Sequence, residues 1–172
     1  RSRARQLIES WIDNNSNWRA ESWQPDIMGQ RVANLIFCYD WYATSAPEDF
    51  QTKLTRAIAL QARCLALDWP RLYNQTAQLT ALKGLVVGQS ALGAKPEDLA
   101  ALLDLVLPLV DQLIQADGGH KSRMPDIHLK LMRDLVEIRN ATSSSGVETA
   151  AQLDKKIAQM ASICRMWRHA DG

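Results

Sequence analysis

The sequence predicts an all-α fold, built as antiparallel αα-hairpins that curve into an incomplete α/α toroid or arc. Three observations carry this. Apolar residues recur at helical spacing along the whole chain, no stretch alternates apolar and polar as a half-buried strand would, and prolines and acidic residues stand where helices should begin. With 47% hydrophobic and 23% charged residues, the 172-residue chain has enough apolar material for one real core, which excludes a disordered or linker-like protein.

The elements follow in order. A first amphipathic helix carries Leu7, Ile8, Trp11 and Ile12 and ends in the polar run Asp13-Asn14-Asn15-Ser16-Asn17. A second starts at Pro25-Asp26, where the missing proline N–H costs nothing, and its stripe Val32, Leu35, Ile36, Tyr39 and Tyr42 carries it to residue 42. The third opens on Pro47-Glu48-Asp49, with acidic side chains suited to the helix dipole, and presents Phe50, Leu54, Ile58 and Leu65. The fourth covers Tyr73 to Leu92, turns Leu79, Leu82, Leu85 and Val86 inward, and stops near Gly93. A fifth begins at Pro96-Glu97-Asp98 and runs through Leu99, Leu103, Val106, Val110 and Ile114, with Pro108 expected to kink it or open a hydrogen bond. The sixth follows Pro125 with Leu131, Met132, Leu135 and Ile138. The seventh shows Leu153, Ile157, Met160, Cys164 and Trp167. Short connections make successive helices antiparallel neighbours. Ala116-Asp117-Gly118 and Ala170-Asp171-Gly172 repeat after 54 residues, a distance that suits one hairpin. The chain opens on Arg1-Ser2-Arg3 without Met and stops on Asp-Gly, so residues 1–172 read as one domain cut from a longer protein.

Composition narrows function. Lys plus Arg number 20 and Asp plus Glu 19, and dispersed arginines matched by acids speak against a nucleic-acid binder. Three separated cysteines, Cys38, Cys64 and Cys164, and three histidines argue against a zinc site or a disulfide framework, and no cofactor or metal is expected. No apolar run approaches the roughly 20 residues of a membrane span.

The densest polar cluster is Asp117-Gly118-Gly119-His120-Lys121-Ser122-Arg123. Paired glycines permit a tight exposed turn, His120 is suited to proton transfer near neutral pH, and Arg123 or Lys121 to neutralising an anion. The same residues also suit a plain hydrophilic loop with a Gly-Gly helix cap. His128, two turns on, faces either the same space or solvent. Trp18 and Trp23, set among Arg19, Glu21 and Gln24, have the composition of a sugar-stacking surface, or of a loop stapled to helix ends by its indoles. The other four tryptophans, Trp11, Trp41, Trp69 and Trp167, are expected to hold helices together. Tyr73 and Asn74 lead into the fourth helix, Tyr73 as a proton carrier and Asn74 as a carboxylate ligand or a helix cap. Arg168 and His169 form a last charged patch, where cations also suit a helix C-terminus.

Asp117-Gly118-Gly119-His120, with Ser122-Arg123 and Pro125, resembles the corresponding segment of bacterial heparinase II/III-like proteins. The ending Arg168-His169-Ala170-Asp171-Gly172 is similar to theirs, as are Thr80-Ala81-Leu82-Lys83-Gly84-Leu85 and Gly29-Gln30-Arg31-Val32. The resemblance implies an α/α toroid followed by a β-sandwich domain, a periplasmic or cell-envelope setting, and a lyase that cuts acidic, uronate-containing polysaccharides such as glycosaminoglycans by β-elimination. It makes His120 the proton-transfer candidate and Arg123 or Asn74 the group that neutralises the uronate. Tyr73 would assist, with Trp18, Trp23, Lys121, His128, Arg168 and His169 holding the substrate. Ile127 stands where those lyases carry a tyrosine, and Asn74-Gln75 where they carry Asn-His. The competing reading is a non-catalytic helical-repeat module that binds a glycan or a protein on its concave face.

Overall fold

The computed structural model describes residues 1–143 and 150–167. Among them the protein is all-α: α1 (Ser2–Asn14), α2 (Pro25–Phe37), α3 (Tyr39–Tyr42), α4 (Glu48–Asp68), α5 (Gln75–Ala91), α6 (Pro96–Leu113), α7 (Pro125–Thr142) and α8 (Ala150–Trp167), with a 3₁₀ turn at Trp69–Arg71. The starts are those the local chemistry dictates. Proline occupies the first turn of α2, α6 and α7, each time with an acidic residue beside it. Asn74 caps α5, its side-chain oxygen accepting from the Thr76 and Ala77 amides at 2.9 and 3.2 Å. Gly93, at φ +80, follows the end of α5.

One boundary differs from the sequence expectation. The helix from Pro25 stops at Phe37 rather than continuing to Tyr42, and α3 is a separate short turn. The Tyr42 hydroxyl donates to the Leu35 carbonyl at 2.9 Å, filling an acceptor the ending helix leaves open, and Arg5 Nε donates to the Tyr42 carbonyl at 2.6 Å. The break therefore gains partners on both sides. α6 runs through Pro108, which lies on its exposed face.

α5 is the central element. It packs against α2, α4, α6 and α7, and every residue from Leu79 to Gly88 is buried, so the expected one-sided stripe is buried all round. Small residues make this possible. A Cβ placed on Gly84 would lie 2.2 Å from the Gly29 Cα, and one on Gly29 would lie 2.4 Å from the Thr80 carbonyl oxygen. α2 and α5 thus cross backbone against backbone, at a separation only glycine permits. Around this crossing the core gathers Met28 and Val32 of α2, Leu54 and Leu65 of α4, Leu103 and Val106 of α6, Leu131 and Leu135 of α7, and Leu153 and Met160 of α8. The pairs α4–α5, α5–α6 and α7–α8 are in contact as the connections predict.

The tryptophans divide differently from the expectation. Trp23, read either as part of a sugar-stacking surface or as a staple onto helix ends, is 5% exposed and belongs to the core. Trp41, expected in the core, is 56% exposed because α3 turns away from the α2 stripe. Trp69 packs on the core edge, and Trp167 meets the His128 ring edge-to-face at 4.9 Å. The three cysteines are free, and Cys38 is exposed.

Candidate functional site

The Asp-Gly-Gly-His turn is a closed loop between α6 and α7. The Lys121 amide donates to the Leu113 carbonyl at 2.8 Å and the Gln115 amide to the Gly119 carbonyl at 2.8 Å, pairing Ile114 with His120 as a single β-bridge. Gly118, at φ +86, lies against α8; a Cβ there would sit 2.7 Å from the Gln159 carbonyl oxygen. Asp117 accepts the Gly119 amide at 2.9 Å and meets Arg123 Nη1 at 2.5 Å. The Gly119 amide first, and Arg123 second, hold this exposed carboxyl below the usual carboxylate range. Arg123 itself adopts φ +57.

Both histidines of the cluster turn inward. His128 is fully buried: its Nδ1 accepts the His120 amide at 3.2 Å, which leaves its Nε2 to donate to the Met160 carbonyl at 3.1 Å. It is a pin between the loop and α8. His120 is 2% exposed, and its Nδ1 lies 2.8 Å from Ser122 Oγ and accepts the Ser122 amide at 3.1 Å. Its Nε2 is shielded and has no hydrogen-bond partner. Burial above all, then the charges of Lys121 and His128, pushes the His120 ring below its ordinary range, so it is held neutral. A proton-transfer group must reach substrate, and a ring this buried does not.

Lys121 reaches Gln75, which in turn bonds Gln112, so the loop is tied to the start of α5 beside Asn74. His120, Lys121, Arg123 and His128 are therefore brought together near Asn74, whose side chain is spent on capping, while Tyr73 projects fully into solvent. Trp18, 68% exposed, sits elsewhere, over a hollow of about 360 Å³ shared with Asp68, Arg71 and Leu72. Arg168 and His169 lie outside the described residues.

Sequence reasoning missed two features. Lys83 is fully buried in α5, with its Nζ 2.8 Å from Gln30 Oε1, Asp134 Oδ1 and Glu137 Oε2, while Thr80 Oγ1 donates to Asp134 Oδ2 at 2.8 Å. A lone lysine inside the apolar run Leu79–Gly88 was the available signal. The second is Arg31, whose Nε donates to Gln61 Oε1 at 2.7 Å and Nη1 to the Ser22 carbonyl at 2.9 Å, with the guanidinium 4.2 Å above the Trp11 ring. Burial pushes it down to about 10. Arg31, Gln30 and Thr80 line an open groove of about 810 Å³ between α1, α2, α3 and α7. A further hollow, about 540 Å³, lies between α1 and α4 over Trp11 and Trp23.

Among the described residues, no group of three or more His, Cys, Asp or Glu is placed to hold a metal ion, and no helix is long and apolar enough to cross a membrane. Fold and surface together define an all-α domain with a buried ion-pair network behind an open groove. No family model matches the chain, and no solved structure matches it. It is 28% identical over 172 residues to FtsZ-localized protein C of Caulobacter vibrioides, a match that covers 99% of this chain and 29% of that protein's length. That finding corrects the functional expectation. A relative named for its localisation with FtsZ does not fit a polysaccharide lyase or a glycan-binding repeat, and the acidic-polysaccharide partner falls with them.

Proposed function

We propose that this domain works within the cell-division assembly by associating with FtsZ. The observation that supports the reading is the end-to-end similarity to FtsZ-localized protein C, which spans 99% of this chain. The chain spans 29% of that protein's length, and the association is proposed for this helical part. The inward-turned His120 and His128 and the capping Asn74 agree with a role in holding helices rather than in turnover.

Binding of the purified chain to FtsZ from the same organism, measured by biolayer interferometry, tests this. A saturable signal is expected, and none at the highest soluble concentration refutes the proposal. On this reading the likeness of Asp117-Gly118-Gly119-His120 to heparinase II/III-like proteins concerns the ancestry of the fold. An experimental structure that fails to superpose on their helical domains rules that out.

A further inference from the structure

We propose that the groove between α1, α2, α3 and α7 is the docking site for an acidic protein segment carrying apolar anchors, a reading that rests on the FtsZ association above. The floor is α2 and one wall is α7. Apolar contact is offered by Ile27, 42% exposed, and by Trp41, 56% exposed, with Ile8 and Leu35 beneath. An indole held on a short helix is the kind of rigid, amphipathic side chain that anchors interfaces. Nothing in the fold requires its exposure, since Tyr42, the next residue, already ties α3 to α2.

Charge decides the occupant. Arg31, Lys130 and Arg133 line the groove, and Asp26 is its one acidic residue, in a chain whose charges otherwise balance at 20 to 19. Lys130 has no carboxylate within 4 Å among the described residues and Arg133, exposed, has its Nε 3.7 Å from Glu137, whereas the Arg31 guanidinium is taken up by Gln61, Ser22 and Trp11. Asp134 is buried and paired with Lys83 behind the wall, and Glu137, partly exposed, is shared between Lys83 and Arg133. An incoming acidic segment meets the exposed side chains of Lys130 and Arg133 beside an apolar centre, the arrangement that steers and orients a complementary partner. Such a segment binds as a short helix or extended strip with a few anchor residues, and the groove has room for those side chains.

Overlapping fluorescein-labelled peptides covering FtsZ of the same organism, each roughly 20 residues, are titrated with the chain by fluorescence anisotropy. Trp41→Ala and Lys130→Glu alter the exposed groove and leave the Lys83 network intact, and Lys95→Glu, at the N-cap of α6 and outside the groove lining, serves as control. The expected result is that a peptide combining acidic and apolar residues binds, weakens as salt rises, and loses at least about tenfold in affinity with either groove variant and nothing with the control. If peptides bind equally well to Trp41→Ala and Lys130→Glu, or if only intact FtsZ binds, the groove proposal falls and the FtsZ association stands. If neither peptides nor intact FtsZ bind, both fall. Sedimentation showing self-association that Trp41→Ala abolishes would assign the groove to a second copy and overturn the proposal.

Discussion

Replacing Gly84 by alanine sets two effects of opposite sign against each other. In an ordinary helix interior the change stabilises by about 1 kcal/mol, because glycine loses more backbone freedom on folding. Here the new methyl would stand 2.2 Å from the Gly29 Cα and 2.5 Å from the Gly29 carbonyl oxygen. Carbon atoms pack best at about 3.5–4.0 Å, so α2 and α5 must part by about 1.5 Å along the contact line. Neither obstacle is a side chain that a rotamer change moves aside, which puts the overpacking cost near the upper end of the usual range, about 3 kcal/mol. The net expectation is a loss of about 2 kcal/mol, roughly 4–8 °C in melting temperature for a domain of this size. Urea unfolding followed by helical circular dichroism measures it. Gly88→Ala is the internal control: its methyl meets only Val32 Cγ1 at 3.2 Å and Ala62 Cβ at 3.4 Å, contacts that yield by small shifts. It should change stability by no more than about 0.5 kcal/mol. A Gly84→Ala protein stabilised by about 1 kcal/mol, the bare propensity gain, would refute the backbone crossing.

Three further predictions follow from the polar groups. Asp134→Ala leaves Lys83 buried with one of its carboxylates gone and should cost about 3–5 kcal/mol; an unchanged urea midpoint contradicts the network. His120 is held below its ordinary value of 6.5, so the unfolded chain takes up the proton first. Stability from this group is full above that value and declines as pH falls below it; His120→Gln should flatten melting-temperature profiles there, and parallel profiles for both proteins count against the assignment. Asn74→Ala removes the cap of α5 and should cost about 1 kcal/mol, whereas Asn74→Asp, which can still accept from Thr76 and Ala77, should restore most of it in the same unfolding assay.

Helix starts were legible because they are local: proline and acidic residues at Pro25-Asp26, Pro96-Glu97-Asp98 and Pro125-Asp126 act within one turn. The break at Cys38 was not, since it depends on Tyr42 reaching back to Leu35 and on Arg5 arriving from α1. The same distance in sequence hid the environment of α5. Its leucines gave a one-sided stripe, and only the approach of Gly29, 55 positions upstream of Gly84, shows why Ala81 and Gly84 are interior as well, as Val32 and Ala62 do for Gly88. At the candidate site the turn Asp117–Arg123 could be read from its glycines. That α8 covers it, leaving His120 and His128 inside, is a tertiary fact carried by Gln159 and Met160. Trp41 was misplaced for the converse reason: helical spacing counted it into a stripe that the chain abandons at residue 38.

The placement of α5 orders how the molecule can come apart. α8 rests chiefly on α7, and α1 on α4 and α3, so either can detach while the centre keeps its cover. α5 shares no such freedom: α2, α4, α6 and α7 cover it on its several faces. Amides of Leu79 to Gly88 thus exchange with solvent only by global unfolding, while those of α1 and α8 exchange through smaller openings. Movement of α1, a wall of the groove, is thereby available to a binding event without loosening the core.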